Sequence, residues 1–207
     1  MKTKLDEWQR DARWFGRLRG GMSGVMLAIA LIGFTTTDAT SAQLAGVAFP
    51  DTRDVAGTRL VLNGIALRTY SILHVWIYVA GLYLEQRSSN AETVLDSPET
   101  KLLEVHFLRD VSRQRAREVW RTGFANNCRA PCYLDPQDVA RFIATVPAIH
   151  RGDVTVFLFT PRRLVVTLNG HVLGTITDRH FAREVLDTFI GPVPPTPRVK
   201  RELLGGR

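Results

Sequence analysis

Apolar and polar positions along this chain recur with two different periods, and the changes of period mark its elements. Residues 47 to 84 read mostly as β-strand: Thr58-Arg-Leu-Val-Leu alternates, and residues 71 to 84 are rich in β-branched and aromatic side chains. The Asn63-Gly64 pair between them predicts a hairpin turn. Ser89 predicts the cap of a short helix over residues 90 to 95. Alternation returns over residues 101 to 111, with Leu103, Val105 and Phe107 on one face and Glu104 and His106 on the other. Ser112 then opens a basic helix reaching about Asn126, in which Ala116, Val119, Trp120 and Gly123 fall at helical spacing. Asp135-Pro136 predicts a second helix, an N-cap followed by the residue best tolerated at the first helical position.

Three strands follow, over residues 154 to 160, 164 to 168 and 172 to 177, the last two joined by Asn169-Gly170. Asp178 caps the next helix, which Gly191 ends, and the proline-rich residues 192 to 197 connect it to a short terminal helix. Blocks of strands separated and followed by helices predict an α+β fold, an antiparallel sheet covered on one face by helices.

Composition adds a compartment. The 207 residues, 45% apolar and 23% charged, suit one globular domain. Before it, Lys2, Lys4, Arg10, Arg13, Arg17 and Arg19 precede an apolar run of 11 residues from Gly24 to Phe34, and small polar residues lead to Thr40-Ser41-Ala42. A basic start, a short greasy middle and a small-residue cleavage site are the three parts of a secretory signal. The run is far shorter than the roughly 20 residues a bilayer span needs. Residues 1–42 therefore read as a cleaved signal peptide and 43–207 as a periplasmic or secreted domain, with an uncleaved N-terminal anchor as the alternative. Cleavage would remove six basic and four acidic residues from a chain of net charge +7. What remains is dispersed, which gives no support to a nucleic-acid partner and licenses only a mild attraction to anionic surfaces such as a transient membrane contact. Cys128 and Cys132, in Cys-Arg-Ala-Pro-Cys, read first as a small-loop disulfide in an oxidising compartment, then as free thiols, and last as a catalytic pair. The histidines show no metal-ligand spacing, and there is no phosphate loop or dinucleotide fingerprint, so neither a metal nor a cofactor is expected.

Four blocks in order carry a resemblance: Leu62-Asn-Gly-Ile-Ala-Leu-Arg68 with Gly81-Leu-Tyr-Leu-Glu85, His106-Phe-Leu-Arg-Asp-Val111, Leu186-Asp-Thr-Phe-Ile-Gly191, and Val199-Lys-Arg201. Together they resemble the chalcone isomerase family across most of residues 47 to 204, and look most like its bacterial exported branch. The resemblance implies the family's open-faced β-sandwich and an arginine, Arg68, that faces the ligand. A guanidinium stays protonated and offers a planar fork of donors, which suits a carboxylate or a developing oxyanion.

Carried over residue by residue, the plant isomerases' asparagine falls on Asn127 and their hydroxyl near the C-terminal helix end on Thr188. Their threonine of the long strand falls on or near Tyr78, their water-ordering tyrosine on Trp120 and their lysine on Gly123. An indole donates one proton and accepts none, so Trp120 cannot hold that water in the same way. The expectation is therefore a binding protein for a small apolar acid such as a fatty acid, with Arg68, Tyr78, Trp120, Asn127 and Thr188 lining the site. The alternatives are an intramolecular lyase acting on a chalcone-like or other enone substrate, with Arg68, Asn127 and Thr188 as its catalytic residues, and an accessory protein whose cleft contacts a protein partner.

Overall fold

The computed structural model describes residues 41–70, 73–128 and 132–206. The basic leader up to Thr40, Ser71 at the predicted strand start, and Pro131 lie outside the described residues. Strands β1 (Ser41–Leu44) and β2 (Val47–Pro50) form a separate hairpin. Strands β3 (Thr52–Val55), β4 (Thr58–Tyr70), β5 (Val75–Leu84), β6 (Lys101–Phe107), β7 (Val154–Phe159), β8 (Leu164–Leu168) and β9 (His171–Ile176) form one seven-stranded sheet in sequence order, every neighbour antiparallel. Five helices complete the described residues: α1 (Ala91–Asp96), α2 (Arg113–Asn127), α3 (Pro136–Thr145), α4 (Arg179–Ile190) and α5 (Pro197–Leu203).

The sheet buries a different set of side chains on each face. Ala66, Ala80, Leu82, Leu103, Val105, Phe157 and Val166 point to the helices and pack with Phe124, Phe142, Phe181, Leu186, Phe189 and Leu203. Phe49, Leu60, Leu62, Leu67, Val79, Tyr83 and Leu102 form a smaller cluster on the other face, with the β1–β2 hairpin packed against it. The predicted sides of β6 hold, because Leu103 and Val105 join the helix-side core while Glu104 and His106 point away.

Three hairpins turn on a pair of residues with positive φ: Ala45-Gly46 (50° and 81°), Ala56-Gly57 (51° and 79°) and Asn169-Gly170 (50° and 81°). Such pairs match the twist of the strands they join. The other Asn-Gly pair is no turn. Asn63 and Gly64 lie inside β4, at a shift of register between Leu62 and Gly64. Asn63 is buried because it seats the chain's last helix: its Nδ2 donates to Leu203 O at 2.8 Å and Ser88 O at 3.1 Å, and Ser88 N donates back to its Oδ1 at 2.9 Å. Gly64 lies where a Cβ would come within 2.0 Å of Glu202 O. The pair therefore serves a tertiary contact rather than a local reversal.

Two element ends also differ from expectation. Asn90, whose side chain accepts from Thr93 N, caps α1 in place of Ser89. Strand β6 stops at Phe107, because its partner β7 starts at Val154 and Phe107 N already bonds Asp153 O; Val111 forms an isolated bridge with Ile149. The caps Ser112, Asp135 and Asp178 stand as read, each side chain accepting from a backbone N–H of the first turn. A disulfide joins Cys128 at the end of α2 to Cys132, with Cα atoms 5.2 Å apart. No helix among the described residues is long and apolar enough to cross a membrane.

Candidate functional site

Antiparallel pairing places Arg68 of β4 opposite Tyr78 of β5, and Tyr78 opposite Phe107 of β6. The three form one cross-strand row close to where β4 ends and β5 begins. Tyr78 and Phe107 pack against the helix-side core, edge to face with ring centroids 5.9 Å apart. Arg68 is partly buried, and its Nη1 donates to Thr69 O at 2.5 Å. Among the described residues no carboxylate lies within ion-pair distance of it. Burial pushes the Tyr78 phenol well above its ordinary value, and the Arg68 charge offsets this in part. The phenol therefore stays protonated, so Arg68 and Tyr78 present hydrogen-bond donors from one edge of the sheet.

The mouth of this row is apolar. Tyr70 ends β4 beneath the Arg115 guanidinium, 5.8 Å from its ring centroid, and Trp76, paired with Thr69, is more than half exposed. The next row inward, Ala66, Ala80 and Val105, is covered.

Trp120 stands in a separate aromatic group. It packs on Phe124, Phe142, Phe157 and Phe189 at centroid distances of 5.7, 4.9, 5.7 and 6.0 Å. Its neighbours on the same helix face meet α4. A Cβ on Gly123 would lie 3.1 Å from Thr188 Cγ2, so the small residue marks the close approach of α2 and α4 and leaves no room for a lysine. The Thr188 hydroxyl donates to Val185 O at 2.7 Å. Asn127 donates to Gly123 O and Val193 O and accepts from Val193 N, at 2.9, 3.0 and 2.9 Å, tying α2 to the connector after α4. The fold thus brings Arg68 and Tyr78 together, and Trp120, Asn127 and Thr188 together. No ring contact among the described residues joins the two groups.

Two cavities lie elsewhere. One of about 370 Å³ is lined by Pro192, Pro194, Pro197, Lys200 and Arg201, and one of about 360 Å³ by α1, β6 and α4 residues. None of the five predicted ligand residues lines either.

A polar cluster on the other sheet face was not legible in the sequence. Arg53 Nη2 donates to both Glu104 oxygens, at 3.1 and 2.9 Å, and His106 Nε2 lies 2.5 Å from Glu104 Oε1. Burial would raise the Glu104 carboxyl, but His106 and Arg53 outweigh it and hold the group below its ordinary value. The Arg53 guanidinium also lies 5.9 Å from the Tyr83 ring centroid, and the Tyr83 hydroxyl is buried without a partner. Alternation marked Glu104 as facing away from the helices, but its partner lies 51 residues away. Among the described residues no group of three His, Cys, Asp or Glu side chains could hold a metal ion.

A single antiparallel sheet, covered by helices on one face and by a small hairpin on the other, defines an open-faced α+β sandwich with an arginine–tyrosine pair at one sheet edge. The chain belongs to the chalcone isomerase-like family, whose sequence model matches residues 41–205. Among solved structures it is similar to a fatty-acid binding protein of Arabidopsis thaliana, at 16% identity and a TM-score of 0.67, over 80% of this chain and 96% of that one. At that identity the likeness speaks to the fold. No protein of curated function matches the sequence.

Proposed function

We propose that this chain is an exported chalcone isomerase-like protein that binds a small apolar carboxylate, such as a fatty acid, with Arg68 and Tyr78 on the carboxylate. The observation that carries the reading is the Arg68–Tyr78 pair: two donors of the right kind, side by side, with no carboxylate of the described residues on the guanidinium. The similarity of fold to a fatty-acid binding protein supports the ligand class. The exposed Tyr70 and Trp76 beside the row would favour an apolar ligand and a transient contact with an anionic membrane surface. Since neither cavity reaches this row, ligand entry would displace the cover over Ala66 and Ala80. Trp120 would form part of the apolar wall. Its lack of an accepting atom, and the engagement of Asn127 and Thr188 by the backbone, favour binding over the lyase reaction.

Replacing Arg68 by alanine removes a charge-assisted contact worth about 1.5–3 kcal/mol, which weakens fatty-acid binding about 10- to 150-fold. Displacement of a fluorescent fatty acid from wild type and Arg68→Ala measures this, and equal affinities would refute the reading.

Export is supported by the basic-apolar leader and by the Cys128–Cys132 disulfide, which persists in an oxidising compartment. Cleavage after Ala42 would trim the first two residues of β1 and keep the Gln43–Ala48 and Leu44–Val47 pairs. The N-terminal mass of protein recovered from the periplasm tests it; an intact leader would favour the anchored alternative.

A further inference from the structure

At the opposite end of the sheet from Arg68, one lysine breaks the apolar register of β6. Lys101 shares a side with Leu103 and Val105, pairs with Leu84 and Phe159, and is only 6% exposed. Six residue steps along β5 lead from Tyr78 to Leu84, beside Lys101, so the two places lie about 20 Å apart. Lys101 also stands out in composition, since only it and Lys200 follow Lys4 in a chain with 27 Lys and Arg residues.

The Lys101 ammonium donates to Ser97 O at 2.5 Å and to Glu99 O at 3.3 Å, leaving one of its three hydrogens. Among the described residues no carboxylate is within ion-pair distance of it. Asp96 and Glu99 line the α1–β6–α4 cavity: Asp96 is held by Arg183 at 2.8 Å, and Glu99 meets the ammonium through its backbone carbonyl. Lys101 lines the cavity of about 360 Å³, together with Arg179 and His180 from the first turn of α4 and the apolar Leu95, Phe159 and Leu186. Arg179 makes no ion pair among the described residues either. A buried ammonium and a guanidinium, neither ion-paired to a carboxylate among the described residues, thus share one cavity whose wall is apolar on the side of Leu95, Phe159 and Leu186. Burial, with Arg179 adding to it, pushes the ammonium below its ordinary value despite Glu99, Glu85 and Asp96 acting the other way. An anion there would relieve that cost.

We infer that this cavity is a second ligand site, taking a small organic carboxylate with its charge between Lys101 and Arg179 and its short apolar body against Leu95, Phe159 and Leu186. The site is independent of the Arg68 reading. It is tested on the full chain by the rate of lysine acetylation with acetic anhydride, followed peptide by peptide by mass spectrometry. A bound carboxylate holds Lys101 protonated and covered, so saturating octanoate slows its acetylation about five-fold or more, while Lys200 changes less than about two-fold. Octanol, which lacks the charge, and inorganic phosphate, which lacks the apolar body, leave Lys101 unprotected. Exposed Arg179→Gln weakens the octanoate protection about ten-fold, and Arg68→Ala leaves it intact. Equal rates with and without octanoate overturn the proposal, as does equal protection by phosphate or loss of protection in Arg68→Ala.

Discussion

Gly64→Ala is the most direct probe of how the end of the chain is held. A Cβ at residue 64 would lie 2.0 Å from Glu202 O, 2.8 Å from Leu203 O and 3.0 Å from Gly205 N. All three are backbone atoms, so no side-chain rotation relieves the overlap. Either β4 or α5 has to move by about 1 Å or more to restore ordinary contact. Such a shift breaks the close fit of Val199, Leu203 and Leu204, which are buried, and lengthens the Asn63 bonds to Leu203 O and Ser88 O. Overpacking of this kind costs about 1–3 kcal/mol, and two weakened hydrogen bonds add about 1 kcal/mol each. The sum, about 3–5 kcal/mol, lowers the melting temperature of a domain of this size by about 10–15 °C. Gly57→Ala is the control: nothing lies within 4 Å of its Cβ, and the cost is only that of a positive φ of 79°, about 1 kcal/mol. Thermal melts followed by near-ultraviolet circular dichroism compare the two. A Gly64→Ala protein melting within about 2 °C of wild type would refute the argument that α5 docks against the bare backbone of β4.

Two further outcomes concern ionisation and the disulfide. Burial raises the Asp187 carboxyl to about 6, with Arg183, whose charge is shared with Glu92 and Asp96, offsetting only part. The folded state therefore holds this proton more tightly than the unfolded chain, and Asp187 withdraws stability as pH rises from about 4 through 6, by roughly 1–2 kcal/mol once solvent screening is allowed for. Urea titrations at pH 4.5 and 7 should show a smaller loss on going to pH 7 in Asp187→Asn than in wild type, and an equal or larger loss would contradict this. Replacing Cys128 and Cys132 by serine opens a loop of sequence separation 4 and should cost about 2 kcal/mol, read as a lower urea midpoint at unchanged slope. A midpoint that does not move would mean that the cross-link constrains nothing in the unfolded chain.

Much of the fold was legible because it depends on near neighbours in sequence. The two-residue alternation of β6, the Asn169-Gly170 turn and the caps Ser112, Asp135 and Asp178 each rest on contacts within a few residues, where side-chain chemistry fixes backbone conformation. The Ala45-Gly46 and Ala56-Gly57 turns escaped notice because alanine gives no sign of a positive φ; the conformation there follows from strand twist. Asn63-Gly64 shows the reverse case, a turn-like pair taken over by a helix some 140 residues later.

The sequence by itself determined the α+β order of elements, the family through its separated blocks, and Arg68 as a cation on a strand. Only the tertiary structure decided what surrounds each polar group, since strand pairing and helix packing bring together residues far apart in the chain. It set Tyr78 beside Arg68, occupied Asn127 and Thr188 with backbone bonds, joined Arg53 to Glu104, and sank Lys101 into a core register. Periodicity tells which side of a strand a residue takes; the charge and burial it meets there depend on distant segments, and those terms separate a ligand contact from a structural one.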